Sequence, residues 1–145
     1  MARMDLKHVG ITVLDLEKMI GFYESLGMQL KNRLLLDEKY CSDRYSLYRL
    51  PEGTYANICF IEADNGVRLE LFQFNAPEPF IPEQWNRAGQ THICFATDDL
   101  EGIYQKVMEQ GCEIVVPICR GLTQDYFFFR DPEGRLVEVG HPFEF

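Results

Sequence analysis

The chain contains one sequence pattern twice, and this repeat constrains its fold more than any other feature. His8 and His92 each begin a short apolar stretch. Downstream of the two histidines, a leucine and a glycine recur at equal distances: Leu16 and Gly27 in the first copy, Leu100 and Gly111 in the second. Each copy ends with a glutamate shortly after a glycine, Glu70 in the first and Glu138 in the second. A repeat with histidine at its start and glutamate at its end indicates a metal site.

Length and charge restrict what kind of protein this is. A chain of 145 residues fits one compact domain, so we interpret the two copies as halves of a single domain spanning residues 1–145. The net charge of −9 repels phosphate backbones and anionic lipid, which argues against nucleic acid as a partner. No stretch approaches the roughly 20 apolar residues of a membrane helix, so we expect a soluble cytoplasmic protein without a membrane partner. The five cysteines lack the spacing of a disulfide framework or a thiolate zinc site.

Each copy predicts the order strand, helix, strand, strand, strand. The first helix follows Asp15, a suitable N-cap, and its apolar residues recur at helical spacing as far as Gly27. A helix from about Asp99 to Gln110 repeats it in the second copy. Strands are expected near 28–36, 57–62 and 67–74 in the first copy, and near 112–116, 125–130 and 135–140 in the second. An Asn-Gly pair at 65–66 predicts a hairpin turn.

The predicted fold class is therefore α+β, with two βαβββ modules at residues 5–75 and 91–142. A proline-rich linker at 76–90 joins them. Residues 37–55 have little counterpart in the second module, and fit either a segment that covers a pocket or a plain surface excursion.

Alternation along strands places small residues beside each histidine. These neighbours are Gly10 and Thr12 for His8, and Cys94 and Ala96 for His92. Glu70 and Glu138 lie between apolar residues, where an unpaired charge is costly. A single histidine or glutamate of this kind is more often hydrogen-bonded or exposed than metal-bound. The four together favour a divalent ion, and their nitrogen and oxygen donors suit Zn, Ni, Co, Mn or Fe.

The segments His8–Gly27 and Phe128–Glu138 resemble the opening and closing modules of the vicinal oxygen chelate superfamily. This superfamily contains glyoxalase I, methylmalonyl-CoA epimerase, extradiol dioxygenases, and fosfomycin and bleomycin resistance proteins. Its fold is a pair of βαβββ modules whose mixed sheet forms a cup around one divalent metal ion, and its members commonly form homodimers. The resemblance implies a homodimer, and it implies four metal ligands: His8, Glu70, His92 and Glu138.

Similarity to glyoxalase I also implies an activity. It implies a metal-dependent lyase or isomerase that transfers a proton through a metal-chelated enediolate of a small α-hydroxycarbonyl-type substrate. Glu138 is the implied catalytic base, and Glu70 is the catalytic counterpart that returns the proton. Two alternatives stay open: an Fe(II)-dependent dioxygenase that uses His8, His92 and Glu138, and a non-catalytic drug-binding resistance protein. The carboxylate of Glu70 favours proton transfer, because extradiol dioxygenases have only three protein ligands.

Two further expectations concern the substrate. Glyoxalase I has an arginine where this chain has Thr12, so glutathione is not the expected substrate unless Arg33, Arg44 or Arg87 replaces that arginine. Four aromatic residues are candidates for lining the site or for the core: Tyr48, Phe72, Tyr126 and Phe128.

Overall fold

The computed structural model of the chain describes residues 2–37, 39 and 48–142, and the chain divides into two compact units, Met1–Pro79 and Phe80–Phe145. Unit 1 contains β1 His8–Thr12, α1 Leu16–Ser25, β2 Gln29–Leu36, β3 Ala56–Glu62 and β4 Arg68–Phe74. Unit 2 contains β5 Ile93–Ala96, α2 Leu100–Glu109, β6 Ile114–Arg120, β7 Asp125–Arg130 and β8 Leu136–Gly140. The predicted α+β class and the repeated βαβββ order are confirmed. The latter part of the predicted linker, from Phe80, belongs to unit 2.

Both sheets have the same topology. The strand orders are β1-β4-β3-β2 and β5-β8-β7-β6. The first strand of each unit pairs in parallel with the last strand, whereas the other pairs are antiparallel. The parallel register is also the same, because Gly10 lies opposite Glu70 and Cys94 lies opposite Glu138. In each unit the glutamate therefore faces the residue two positions after the histidine.

In unit 1 a helix covers one face of the sheet. Asp15 caps α1 by accepting a hydrogen bond from the backbone N–H of Lys18, and the Gln73 side chain accepts one from Leu16 at 2.6 Å. The core consists of buried helix and strand residues, among them Met19, Ile20, Tyr23, Cys59, Ile61, Leu69 and Leu71. Full burial of a large apolar side chain contributes about 1.5–3 kcal/mol. Because these side chains occupy the helix-facing side, the alternate residues of β1 and β4 are left on the opposite face.

Unit 2 repeats this arrangement. Asp99 caps α2 by accepting a hydrogen bond from the N–H of Gly102. The buried residues of its helix and central strands include Leu100, Val107, Phe127, Phe129, Val137 and Val139. Within the described ranges, no helix is long and apolar enough to cross a membrane.

One local prediction agrees with the structure, and another gave too short a strand. The turn at Asn65-Gly66 forms as expected: Gly66 has a φ of +84° and donates a hydrogen bond to the carbonyl of Ala63. Strand β6, in contrast, continues beyond the predicted end at Val116 and includes Pro117. Proline is tolerated there because β6 is an edge strand whose register shifts between Val116 and Cys119. Residues 38 and 40–47 of the segment 37–55, which was expected either to cover a pocket or to form a surface excursion, lie outside the described residues.

Candidate metal centre

In unit 1 the parallel pairing of β1 and β4 brings His8 and Glu70 together. Nε2 of His8 lies 3.1 Å from Oε2 of Glu70. The ring of Phe60, which lies opposite Glu70 on β3, meets the His8 ring edge-to-face at 5.7 Å. Two of the predicted ligands are thus adjacent, and an aromatic ring supports the histidine.

In unit 2 the same three positions produce the same contacts. Nε2 of His92 lies 2.9 Å from Oε2 of Glu138. Phe128, opposite Glu138 on β7, meets the His92 ring edge-to-face at 5.0 Å. The repeat that is visible in the sequence is therefore also a repeat of side-chain geometry.

The unit 2 pair has additional partners. Oγ1 of Thr91 lies 2.7 Å from Nδ1 of His92, on the ring edge away from the glutamate. The side-chain amide of Gln124 donates a hydrogen bond to Oε1 of Glu138 at 3.0 Å. Partners of this kind fix the orientation and tautomer of a metal-binding imidazole and the orientation of a carboxylate.

Cys94 and Trp85 complete the surroundings of the unit 2 pair. Burial, followed by the nearby charge of Glu138, raises the pKa of the Cys94 thiol to about 11, so the thiol stays protonated at neutral pH. Trp85 lies 5.2 Å from the His92 ring and 5.8 Å from the Phe128 ring, measured between centroids. Trp85 is 61% exposed and is the only tryptophan of the chain.

The donors within each pair suit a divalent ion. Two ligands bound at about 2.1 Å and at a right angle lie about 3 Å apart. The separations of 3.1 Å and 2.9 Å in the two pairs match this value. Within either unit, the described residues contain no group of three or more His, Cys, Asp or Glu side chains suited to a metal. Each unit thus supplies two donors, and the assignment of all four as ligands stays a prediction.

The arginines considered as glutathione contacts have other roles or lie elsewhere. Arg33 forms a bidentate ion pair with Glu17 of α1. Arg87 donates a hydrogen bond to the Gln84 side chain at 2.7 Å. Arg44 lies outside the described residues.

The four aromatic candidates also differ from one another. Phe128 contacts His92, and Tyr126 contacts Phe128 at 5.7 Å. Phe72 stacks on Phe74 at 5.9 Å, and Tyr48 is 60% exposed. Among these four, Phe128 is the residue that lies against a predicted ligand.

Sequence reasoning did not identify Thr91 or Gln124. A hydroxyl residue directly before His92 was a usable signal, because its side chain is short and close to the ring. Gln124 gives no such signal, since it reaches Glu138 only through the turn that precedes β7 and through the pairing of β7 with β8.

The comparisons with known proteins agree with the observed fold. A family model described as "Glyoxalase/Bleomycin resistance protein/Dioxygenase superfamily" matches residues 5–139. No curated protein sequence matches the chain significantly.

Several solved structures have the same fold. A glyoxalase family protein from Bacillus cereus is 21% identical, with a TM-score of 0.79 and 97% coverage of both chains. The trypanothione-dependent glyoxalase I of Leishmania major is 19% identical, with a TM-score of 0.68 and coverage of 96% of this chain and 87% of that one. The fosfomycin resistance protein FosX of Listeria monocytogenes is 15% identical, with a TM-score of 0.62 and coverage of 94% and 90%. At these identities the likeness concerns the fold alone.

Proposed function

Since the chain belongs to the Glyoxalase/Bleomycin resistance protein/Dioxygenase superfamily, we propose that it is a divalent-metal-dependent lyase or isomerase that moves a proton beside a carbonyl of a small substrate. The observation that carries this proposal is the repeated histidine–glutamate pair. Both pairs have the same register, and both place an imidazole nitrogen and a carboxylate oxygen about 3 Å apart.

The proposed ligands are His8 and Glu70 from unit 1, and His92 and Glu138 from unit 2. A bound divalent ion would supply positive charge that stabilises the negative charge developing on the substrate oxygens. An α-hydroxycarbonyl substrate has two adjacent oxygens of the required kind. Glutathione is not the proposed substrate, because Thr12 replaces the expected arginine, Arg33 is paired with Glu17, and Arg87 bonds to Gln84.

The proposed proton carrier is Glu138. Its side chain is 14% exposed, and hydrogen bonds direct both of its carboxylate oxygens. Glu70, with 20% exposure, is the counterpart that returns the proton. A positioned carboxylate of this kind contributes about 10²–10⁴-fold to a proton-transfer rate.

Glu70 also supports this proposal over an Fe(II)-dependent dioxygenase. A dioxygenase of this superfamily type needs only two histidines and one glutamate. The His8–Glu70 pair instead repeats the geometry of the His92–Glu138 pair. A fourth metal ligand in the same geometry fits a lyase or isomerase. The homodimer is a separate matter and stays a prediction from the sequence.

The test combines metal analysis with hydrogen exchange. The purified protein is stripped, reconstituted anaerobically with Zn²⁺, Ni²⁺, Co²⁺, Mn²⁺ or Fe²⁺, and incubated in D₂O with a panel of α-hydroxycarbonyl compounds. We expect metal-dependent deuterium incorporation at the carbon beside the carbonyl, measured by NMR. Glu138→Gln should reduce the rate about 10²–10⁴-fold. The matched control is Glu101→Gln, on the exposed surface of α2.

Other outcomes would overturn the proposal. Oxygen consumption that depends on Fe²⁺ would identify a dioxygenase. Tight binding of an aromatic or cationic drug by a protein that binds no metal would identify a sequestering protein. Undiminished exchange in Glu138→Gln would remove the base assignment alone.

A further inference from the structure

We infer that Gln124 is a positioning residue that holds the Glu138 carboxylate in the orientation required of a metal ligand, an inference that rests on the proposed function. The Gln124 amide donates to Oε1 of Glu138 at 3.0 Å, while Oε2 lies 2.9 Å from Nε2 of His92. A carboxylate held at one oxygen cannot rotate freely about its terminal bond. Oε2 is therefore kept beside the imidazole nitrogen of His92, in the position that a carboxylate binding a metal ion through one oxygen would need.

The backbone leaves a space that Gln124 fills. Gly140 lies two residues after Glu138 on β8, and a Cβ at this position would lie 2.7 Å from both Cδ and Nε2 of Gln124. Real Cβ atoms do not approach other atoms so closely. A residue larger than glycine at position 140 would therefore displace the Gln124 amide from the carboxylate.

A tight turn presents Gln124 to this space. The N–H of Gly121 donates a hydrogen bond to the carbonyl of Gln124 at 2.8 Å. A Cβ at position 121 would lie 2.5 Å from that carbonyl oxygen. Glycines at two separate positions thus permit one hydrogen bond, since one closes the turn and the other makes room for the side chain.

Unit 1 has no such arrangement at the equivalent position. Phe72 lies two residues after Glu70, as Gly140 lies two residues after Glu138, and Phe72 stacks on Phe74. Over 2–37, 39 and 48–142, the described partner of the Glu70 carboxylate is His8. Among the residues that the structure describes, this positioning contact is therefore found at the unit 2 glutamate and not at Glu70.

The experiment measures Co²⁺ affinity and the visible spectrum of bound Co²⁺ in the full-length protein. Gln124→Met keeps the length of the side chain but removes the donor, and Gly140→Ala displaces the amide without changing Gln124. Each should weaken Co²⁺ binding about 10–100-fold and shift the spectrum, as expected for loss of a partner of a ligand. The double variant should lose no more than either single variant, because both remove the same hydrogen bond.

Two controls separate this effect from a general loss of structure. Gln105→Ala changes an exposed glutamine of α2, and Gly21→Ala changes a glycine of α1 whose added Cβ would meet nothing within 4 Å. Both should bind Co²⁺ as the wild type does, and circular dichroism checks that every variant is folded.

The outcomes distinguish two failures. Wild-type protein that binds no Co²⁺ overturns the proposed function and the inference with it. Wild-type protein that binds Co²⁺ while Gln124→Met binds equally well, with an unchanged spectrum, overturns the positioning role alone. If the double variant lost as much Co²⁺ affinity as the two single variants together, the positioning role would also be overturned, because Gly140 would then act independently of Gln124.

Discussion

The two units have the same backbone arrangement but surround the same chemistry differently. His8 and His92 each face a glutamate at about 3 Å, and each meets a phenylalanine edge-to-face. In unit 2, however, Thr91 contacts the histidine and Gln124 contacts the glutamate. A duplicated fold can therefore keep the histidine and glutamate side chains in the same positions while changing how many contacts hold each of them.

This difference between the units follows from the size of the residues at equivalent positions near the two glutamates. The glutamate faces Gly10 in unit 1 and Cys94 in unit 2. Two residues after the glutamate, unit 1 has Phe72 and unit 2 has Gly140. The Phe72 ring stacks on Phe74, whereas the absence of a side chain at Gly140 leaves room for the Gln124 amide. The backbone hydrogen bonds determine where the donors lie, and the neighbouring side chains determine how rigidly they are held.

The largest expected effect comes from removing either histidine. His8→Ala and His92→Ala should each weaken Ni²⁺ binding by more than the roughly 100-fold upper range for an outer partner, because each removes one of the proposed ligands. Isothermal titration calorimetry measures the affinity. The fluorescence of Trp85, whose ring lies 5.2 Å from the His92 ring, gives a second readout in the variants that retain His92.

His141→Ala is the matched control, since the third histidine of the chain is not a proposed ligand. Its affinity should equal that of the wild type. If His8→Ala bound Ni²⁺ normally while His92→Ala did not, the equivalence of the two units would be wrong.

A smaller effect is expected from the Thr91 hydroxyl, which lies beside His92 in unit 2 and has no counterpart beside His8 among the described residues. Thr91→Val should weaken Ni²⁺ binding about tenfold, because the contact 2.7 Å from Nδ1 that orients the ring is lost. Thr91→Ser retains the hydroxyl and should retain the affinity. Equal affinities of the valine and serine variants, determined by the same titration, would show that the contact does not orient His92.

The smallest effects compare one ion pair from each unit. In unit 2, Arg130 forms two hydrogen bonds of 2.7 Å with Glu83, whose side chain is 9% exposed, and this holds the pKa of Glu83 below its usual value of 4.5. Glu83→Gln should reduce the free energy of unfolding by about 1–2 kcal/mol near neutral pH, as measured by urea denaturation. A group with a lowered pKa stabilises the fold above its unfolded pKa, so this difference should shrink as the pH falls below about 4.5.

The Glu17–Arg33 pair of unit 1 is the comparison. Arg33 also lowers the pKa of Glu17, but the Glu17 side chain is 70% exposed. Solvent screens such a pair, so Glu17→Gln should not change the unfolding midpoint measurably. If Glu17→Gln reduced the free energy of unfolding as much as Glu83→Gln does, burial would not distinguish the two ion pairs.

Much of the fold follows from the sequence because its signals are local and repeated. The helix caps Asp15 and Asp99, the turn at Asn65-Gly66 and the alternation around each histidine all act over a few residues. The duplication then links distant parts of the chain, since a histidine and a glutamate that recur together indicate one kind of contact made twice.

The remaining features depend on contacts that local patterns do not encode. Pro117 is tolerated within β6 because that strand lies at a sheet edge. The position of a strand within its sheet is not visible in the local sequence. Gln124 reaches Glu138 because Gly121 and Gly140 leave space from two directions. Such contacts require the register and the turn geometry to be known first.

The parallel pairing of β1 with β4, and of β5 with β8, has a consequence for biosynthesis. The histidine is among the first residues of its unit to leave the ribosome, and the glutamate is among the last. Neither pair can form until its whole sheet has been synthesised and has closed, a step that long-range contacts make slow. During translation, each unit therefore presents either a lone histidine on an unfinished chain or a finished histidine–glutamate pair.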